Sequence, residues 1–139
     1  MEAGYRGFKL FELLLVAAVL GSISFAVIPP LTQAGTEDRI ISMISTLHHV
    51  RSQINLYKAQ HNGIMPPSDT QGAFETAMTA KDTDGFGPYM KELPVNPFNQ
   101  LSSVRTSPSP DQGAGTHGWH FNPITGDFHA DDSLCHAQL

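Results

Sequence analysis

The chain has 139 residues, 40% of them hydrophobic and only 15% charged, with eight Lys and Arg against thirteen Asp and Glu for a formal net charge of −5. That length supports one domain, and the acidic balance, with cations scattered singly, excludes a sequence-independent grip on nucleic acid through a basic surface. A single cysteine, Cys135, excludes an internal disulfide.

The first predicted element is an apolar segment. No charged residue occurs from Leu13 to Thr36, and Leu13 to Leu31 is apolar apart from Ser22 and Ser24. A bilayer core of about 30 Å takes about 20 apolar residues as a helix, so the run is long enough to span one. Arg6 and Lys9 precede it, and Glu37 and Asp38 follow it. The positive side stays in the cytoplasm, which directs the C-terminal part outward. Three readings fit: a plain anchor, a secretory signal peptide cleaved after Ser24-Phe25-Ala26 to free a soluble module from Val27, or a signal cleaved before the apolar run, which then stays on the mature chain. Glu12, at the edge of the run, discriminates among them. A carboxylate drawn into the bilayer costs roughly 2.5–3.5 kcal/mol. An anchor or signal peptide has no use for that cost, whereas a subunit that meets a cationic partner inside the membrane does. The alternative is that Glu12 stays solvated at the interface.

The sequence Gly7-Phe8-Lys9-Leu10-Phe11-Glu12-Leu13-Leu14 resembles the start of type IV prepilins and type II secretion pseudopilins: a glycine, an aromatic residue or Met, then a Leu, an apolar residue and Glu ahead of a long apolar helix. Pro29 stands where these families commonly place a proline. The resemblance implies cleavage by a prepilin peptidase between Gly7 and Phe8, loss of the leader 1–7, and methylation of the new amino group of Phe8. It further implies that Glu12 pairs with the Phe8 amino group of an adjacent subunit and so sets the filament's register. Lys9 departs from the usual Thr and places a cation three residues from Glu12, at helical spacing.

Pro29-Pro30 removes backbone donors and loosens a helix, as do Gly21 and the two serines, so the long helix is expected to be continuous or kinked there. From Gly35 the pattern turns amphipathic: Ile40, Ile44, Leu47, Val50 or Arg51, Ile54 and Tyr57 recur at helical spacing. Thr36 is a candidate cap for this stretch, and His61-Asn62-Gly63 before Pro66-Pro67 is a stop signal. A short helix is predicted within residues 70–81, with Phe74 and Met78 on one side, and Asp82-Thr83-Asp84-Gly85 reads as a turn. The segment Pro94-Val95-Asn96-Pro97-Phe98 resembles a loop of type II secretion major pseudopilins, fixed by prolines and packing Tyr89, Leu93 and Phe98 on the helix. Residues 106–115 read as a flexible loop. The final hairpin turns at residues 122–127, pairs His120 with His129, points Phe121 and Phe128 to the core and sets the two histidines on an exposed outer face.

Two imidazoles fall short of a structural zinc site. Major pseudopilins often hold calcium through oxygen ligands in the C-terminal loop, where this chain has Asp127, Asp131 and Asp132; the family's aspartate spacing is not clearly reproduced, and no metal residues are assigned. No nucleophile motif, phosphate loop or paired catalytic carboxylates occur, and His48-His49 read as a partly exposed helix face.

The resulting expectation is an α+β pilin fold: a leader (1–7), the transmembrane half of a long N-terminal helix (8–31), and a periplasmic head (32–139) in which the helix's amphipathic half packs on a small antiparallel sheet. The resemblance implies a non-enzymatic structural subunit of a type II secretion pseudopilus, with a true type IV pilus as the alternative. Its expected partners are further copies of itself, prepilin peptidase, an inner-membrane assembly platform and membrane lipid, with the head in the periplasm. Gly7 and Phe8 carry the processing, Glu12 and Pro29 the assembly.

Overall fold

The computed structural model describes residues 10–109 and 113–139, with the backbone alone described over 20–34. The elements are helix α1 (Leu10–Gln60), helix α2 (Ala73–Thr79), strands β1 (Val104–Thr106), β2 (Trp119–Phe121) and β3 (Phe128–Ala130), and a closing 3-10 turn, His136–Gln138. The chain divides into two compact units, Met1–Asp38 and Arg39–Leu139.

α1 is one element, so Thr36 lies inside it rather than capping a second helix. Among the described residues no helix is long and apolar enough to cross a membrane. The span expected over 8–31 falls largely outside them, since Phe8, Lys9 and the side chains of 20–34 are not described. α1 ends at the predicted stop. Asn62 and Gly63 take the left-handed conformation, with φ of 56° and 86°, and the Gly63 amide donates to the Lys58 carbonyl at 2.8 Å, the six-to-one bond of a Schellman motif.

The second unit is a head built on one hydrophobic cluster. From α1 it takes Met43, Leu47, Val50, Ile54 and Tyr57, from α2 Phe74 and Met78, and from the sheet Val104, Trp119, Phe121, Phe128 and Ala130. The α1 stripe therefore runs 43-47-50-54-57, at alternating steps of four and three. Ile44, expected in it, is 37% exposed, while Met43 is fully buried. The row through Leu47 and Val50 extends back to residue 43, and residue 44 lies about 100° further round the helix. α2 sits inside its expected range with Phe74 and Met78 buried as expected. Tyr89 is buried, and Leu93 and Phe98 are partly buried against the cluster. The Trp119 indole donates to the Pro94 carbonyl at 2.8 Å, fastening the proline loop to the sheet.

The sheet has three strands in the order β1-β2-β3. β2 and β3 pair antiparallel in the expected register, Trp119 with Ala130, His120 with His129 and Phe121 with Phe128. The sheet is nonetheless mixed rather than antiparallel, because β1 lies parallel to β2, with Val104 opposite Trp119. The physical reason is topological: the stretch between Thr106 and Trp119 carries the chain back so that β1 and β2 run in the same direction. Thr106 belongs to β1, so the connecting loop begins one residue later than expected.

Candidate functional site

Three clusters of side chains do more than fill space: the start of α1, a polar network beneath the C-terminal loop, and a histidine pair in the sheet. The start of α1 is apolar all round. Leu10, Phe11, Leu13, Leu14, Leu15, Val16 and Val19 are between 49% and 85% exposed. Residues 10, 11, 13, 14 and 15 stand 100° apart per step and so cover every side of the helix, unlike the single stripe of a helix on a soluble core. Glu12, also exposed, lies near the first described residue of α1. Of the residues assigned to processing and assembly, the structure places Glu12 within this apolar surface. Gly7 and Phe8 lie outside the described residues, and Pro29 falls where the backbone alone is described.

The network under the C-terminal loop belongs to the head. Asp131 is fully buried at the end of β3 and accepts two bonds from the Arg105 guanidinium, from Nε at 3.0 Å and Nη2 at 2.7 Å. The Ala114 amide adds a third at 3.1 Å. Burial works against the charge on Asp131, but the Arg105 and Ala114 hydrogen bonds outweigh it and hold the carboxyl below its usual range. Its neighbour Asp132 accepts from Asn96 Nδ2 at 2.9 Å and pairs with His136. Asn96, fully buried, also donates to the Gly118 carbonyl and accepts from the Phe98 amide, both at 2.8 Å. The His136 ring packs on Phe98 with centroids 4.0 Å apart and the planes tilted by 37°. In the sequence Asn96 stands out only as part of a loop motif. Its role as the pin joining that loop to β2 and Asp132 has one sequence signal, an Asn between prolines in an otherwise apolar stretch.

Of the carboxylates weighed for calcium, Asp131 and Asp132 are held by these donors. Asp127 accepts from the Thr125 hydroxyl at 2.7 Å in the hairpin turn. Among the described residues no group of three or more His, Cys, Asp or Glu could hold a metal ion.

The histidines of the hairpin do share one face, but that face is not exposed. His120 is 1% and His129 8% exposed, because the closing 3-10 turn packs on β3 and Arg51 of α1 reaches over it, its Nε donating to the Phe128 carbonyl at 2.9 Å. The two imidazoles bond directly, His120 Nδ1 to His129 Nε2, at 2.8 Å. His129 Nδ1 faces the Ala130 carbonyl at 3.0 Å, which can only accept. His129 therefore donates from Nδ1, and its Nε2 accepts the Nδ1–H of His120. His120 Nε2 is buried with no partner in hydrogen-bonding geometry among the described residues. Burial first, then the neighbouring His129 and Arg105, push the His120 pKa down to about 4 against the opposing pull of Asp131 and the Ser107 backbone. A cavity of about 340 Å³ opens beside the pair, bounded by Arg51, Asn122, Asp127 and Leu139. Elsewhere His48 and His49 are exposed on α1, and Cys135 is an exposed free thiol.

Compared with known protein families, with curated proteins and with solved structures, the chain has no match in any of the three.

Proposed function

We propose that this chain is a structural subunit of a type IV pilin-like filament, most closely a pseudopilin of a type II secretion system. The N-terminal part of α1 is the polymerising element, held in the inner membrane before assembly, and the head faces the periplasm. Prepilin peptidase removes the leader at Gly7, the methylated Phe8 amine of one subunit meets Glu12 of the next, and an assembly platform draws subunits into a periplasmic filament that drives protein export.

The observation that carries this reading is the surface of α1 from Leu10 to Val19. Large apolar side chains face outward all round the helix, with one carboxylate, Glu12, set among them. In water such a surface is costly, at about 25 cal/mol per Å² of apolar area, and contiguous apolar exposure of this kind marks a membrane or protein contact. Lipid and the helices of neighbouring subunits are both suitable covers. Inside either, a carboxylate is stabilised by a nearby cation, and the resemblance assigns that part to the Phe8 amine of a neighbour.

Glu12→Gln tests it, because it keeps the size and removes the charge. The full chain, produced with its assembly machinery, is expected to reach the membrane at native levels while sedimentable filaments are lost. Filaments formed as efficiently by the Gln variant as by the native chain would contradict the reading.

A further inference from the structure

His61 follows directly on the last residue of α1 and is held from both ring nitrogens. Nδ1 lies 2.9 Å from the Tyr57 carbonyl, one turn back, and Nε2 lies 2.7 Å from Asp82 Oδ2. The carbonyl can only accept, and so can an ionised carboxylate. Both nitrogens therefore donate, and the geometry is that of an imidazolium. Its ring stacks on Tyr57 with centroids 3.9 Å apart and 9° between planes, and the edge of Phe86 meets it at 5.5 Å.

Asp82 is the hinge of the turn that follows α2. Its Oδ1 accepts from the Phe86 amide at 2.8 Å, and its own amide donates to the Phe86 carbonyl at 3.0 Å. One carboxylate thus closes the 82–86 turn with one oxygen and ties it to α1 with the other. The turn also borders a cavity of about 590 Å³, in which Asp82 and Tyr57 face Asp69, Thr70 and Thr76.

We propose that His61 is a pH-sensitive latch: as an imidazolium it fastens the 82–86 turn to the end of α1, and on losing its proton it keeps only one of its two bonds and lets that wall of the cavity swing free.

The charges around His61 all favour the closed form. The Tyr57 carbonyl contributes most to raising its pKa above the ordinary 6.5. Burial opposes that, and Asp82 and then Asp84 add to it. The other titratable groups packed on the ring, Tyr57 and Tyr89, are both raised above the ordinary phenol value, chiefly by burial, and stay neutral throughout. The Tyr89 hydroxyl donates to Gln60 at 2.8 Å and is independent of the latch proton. The carboxyl of Asp82 is opposed by burial, yet held below its usual range by His61 and the Phe86 amide. The closed form therefore spans the range between the two pKa values. It is lost upward as His61 deprotonates and downward as Asp82 protonates.

The test uses the full chain in detergent micelles, with histidine imidazoles followed by NMR and the Asp82, Gly85 and Phe86 amides by hydrogen exchange corrected for intrinsic rate. His61 is expected to titrate above 6.5, and protection of the three amides to fall with the same midpoint. Linkage fixes the size of that fall: it equals the ratio of the His61 acid dissociation constants in the open and closed forms. Asp82→Asn removes the charge and leaves one carbonyl oxygen where the aspartate offers two, one to the Phe86 amide and one to His61, and should move the His61 midpoint down. His61 titrating at or below 6.5 would overturn the proposal. Turn protection that stays flat through the His61 titration would do the same.

Discussion

Three segments converge on Asp131: its carboxylate accepts from Arg105 of β1 and from the Ala114 amide of the connecting loop, and its own backbone amide donates to the Gly118 carbonyl ahead of β2. Removing one partner of a buried ion pair leaves the other charge uncompensated, which costs about 3–5 kcal/mol. Arg105 keeps 19% of its side chain exposed, which places Asp131→Ala near the lower end, about 3 kcal/mol, in a urea titration of the full chain. An unchanged midpoint would show that Arg105 and Ala114 find water as good a partner. The hairpin histidines make a pH prediction of definite sign. His120 is harder to protonate folded than unfolded, so the unfolded chain binds the extra proton between pH 6.5 and about 4. Stability is therefore untouched by this group above 6.5 and falls through that window, by at most about 3 kcal/mol when the whole shift is realised. His61 has the opposite sign: its contribution is complete below 6.5 and is lost as pH rises through its raised folded pKa. His120→Phe is expected to flatten the acid limb of the stability curve and leave the alkaline limb in place, as read by thermal unfolding at pH 4, 5, 6, 7 and 8.

At the scale of elements, the register of α1 is the sharpest claim. Leu47 is fully buried and Ile44 is 37% exposed. Leu47→Ala should cost about 2–5 kcal/mol, and Ile44→Ser, on the surface, within about 0.5 kcal/mol of nothing. Equal losses at both sites would mean that the helix is rotated. Gly118 makes the second claim: a Cβ there would overlap the Leu101 carbonyl, a backbone group with little freedom to retreat, so Gly118→Ala should break the seat of the 101–103 segment on β2. These elements also show which parts of the head could be read from the chain alone. The β2–β3 register was legible because a short turn between alternating apolar residues fixes pairing locally. The end of α1 was legible for the same reason, since Asn62 and Gly63 act where they stand. β1 was not, because a three-residue parallel strand whose partner lies beyond a long loop leaves no local trace. The burial of His120 and His129 was hidden as well. Period-two alternation says that two residues share a face, not that Arg51 and the C-terminal turn will cover it. Met43 displaced Ile44 because a spacing of three or four admits two adjacent rows, and only the head decides between them.

For the whole molecule, the two units make different demands. The head closes a core of its own around Trp119, Phe74, Phe121 and Phe128, and this follows from packing alone. The start of α1 closes nothing within its own described residues, and its apolar surface has to be covered by lipid or by another chain. That division fits the proposed filament subunit, with a core closed in the head and an apolar helix start that assembly would cover. The sequence carries this part more strongly than the fold does, through Gly7, Phe8 and Glu12 in register before an uncharged run. The most direct measurement is the intact mass and N-terminal sequence of the protein isolated from its native membrane. A mature chain that begins at an N-methylated Phe8 and retains the whole apolar run is the expected result. A chain that begins at Val27, with the helix start discarded, would contradict it.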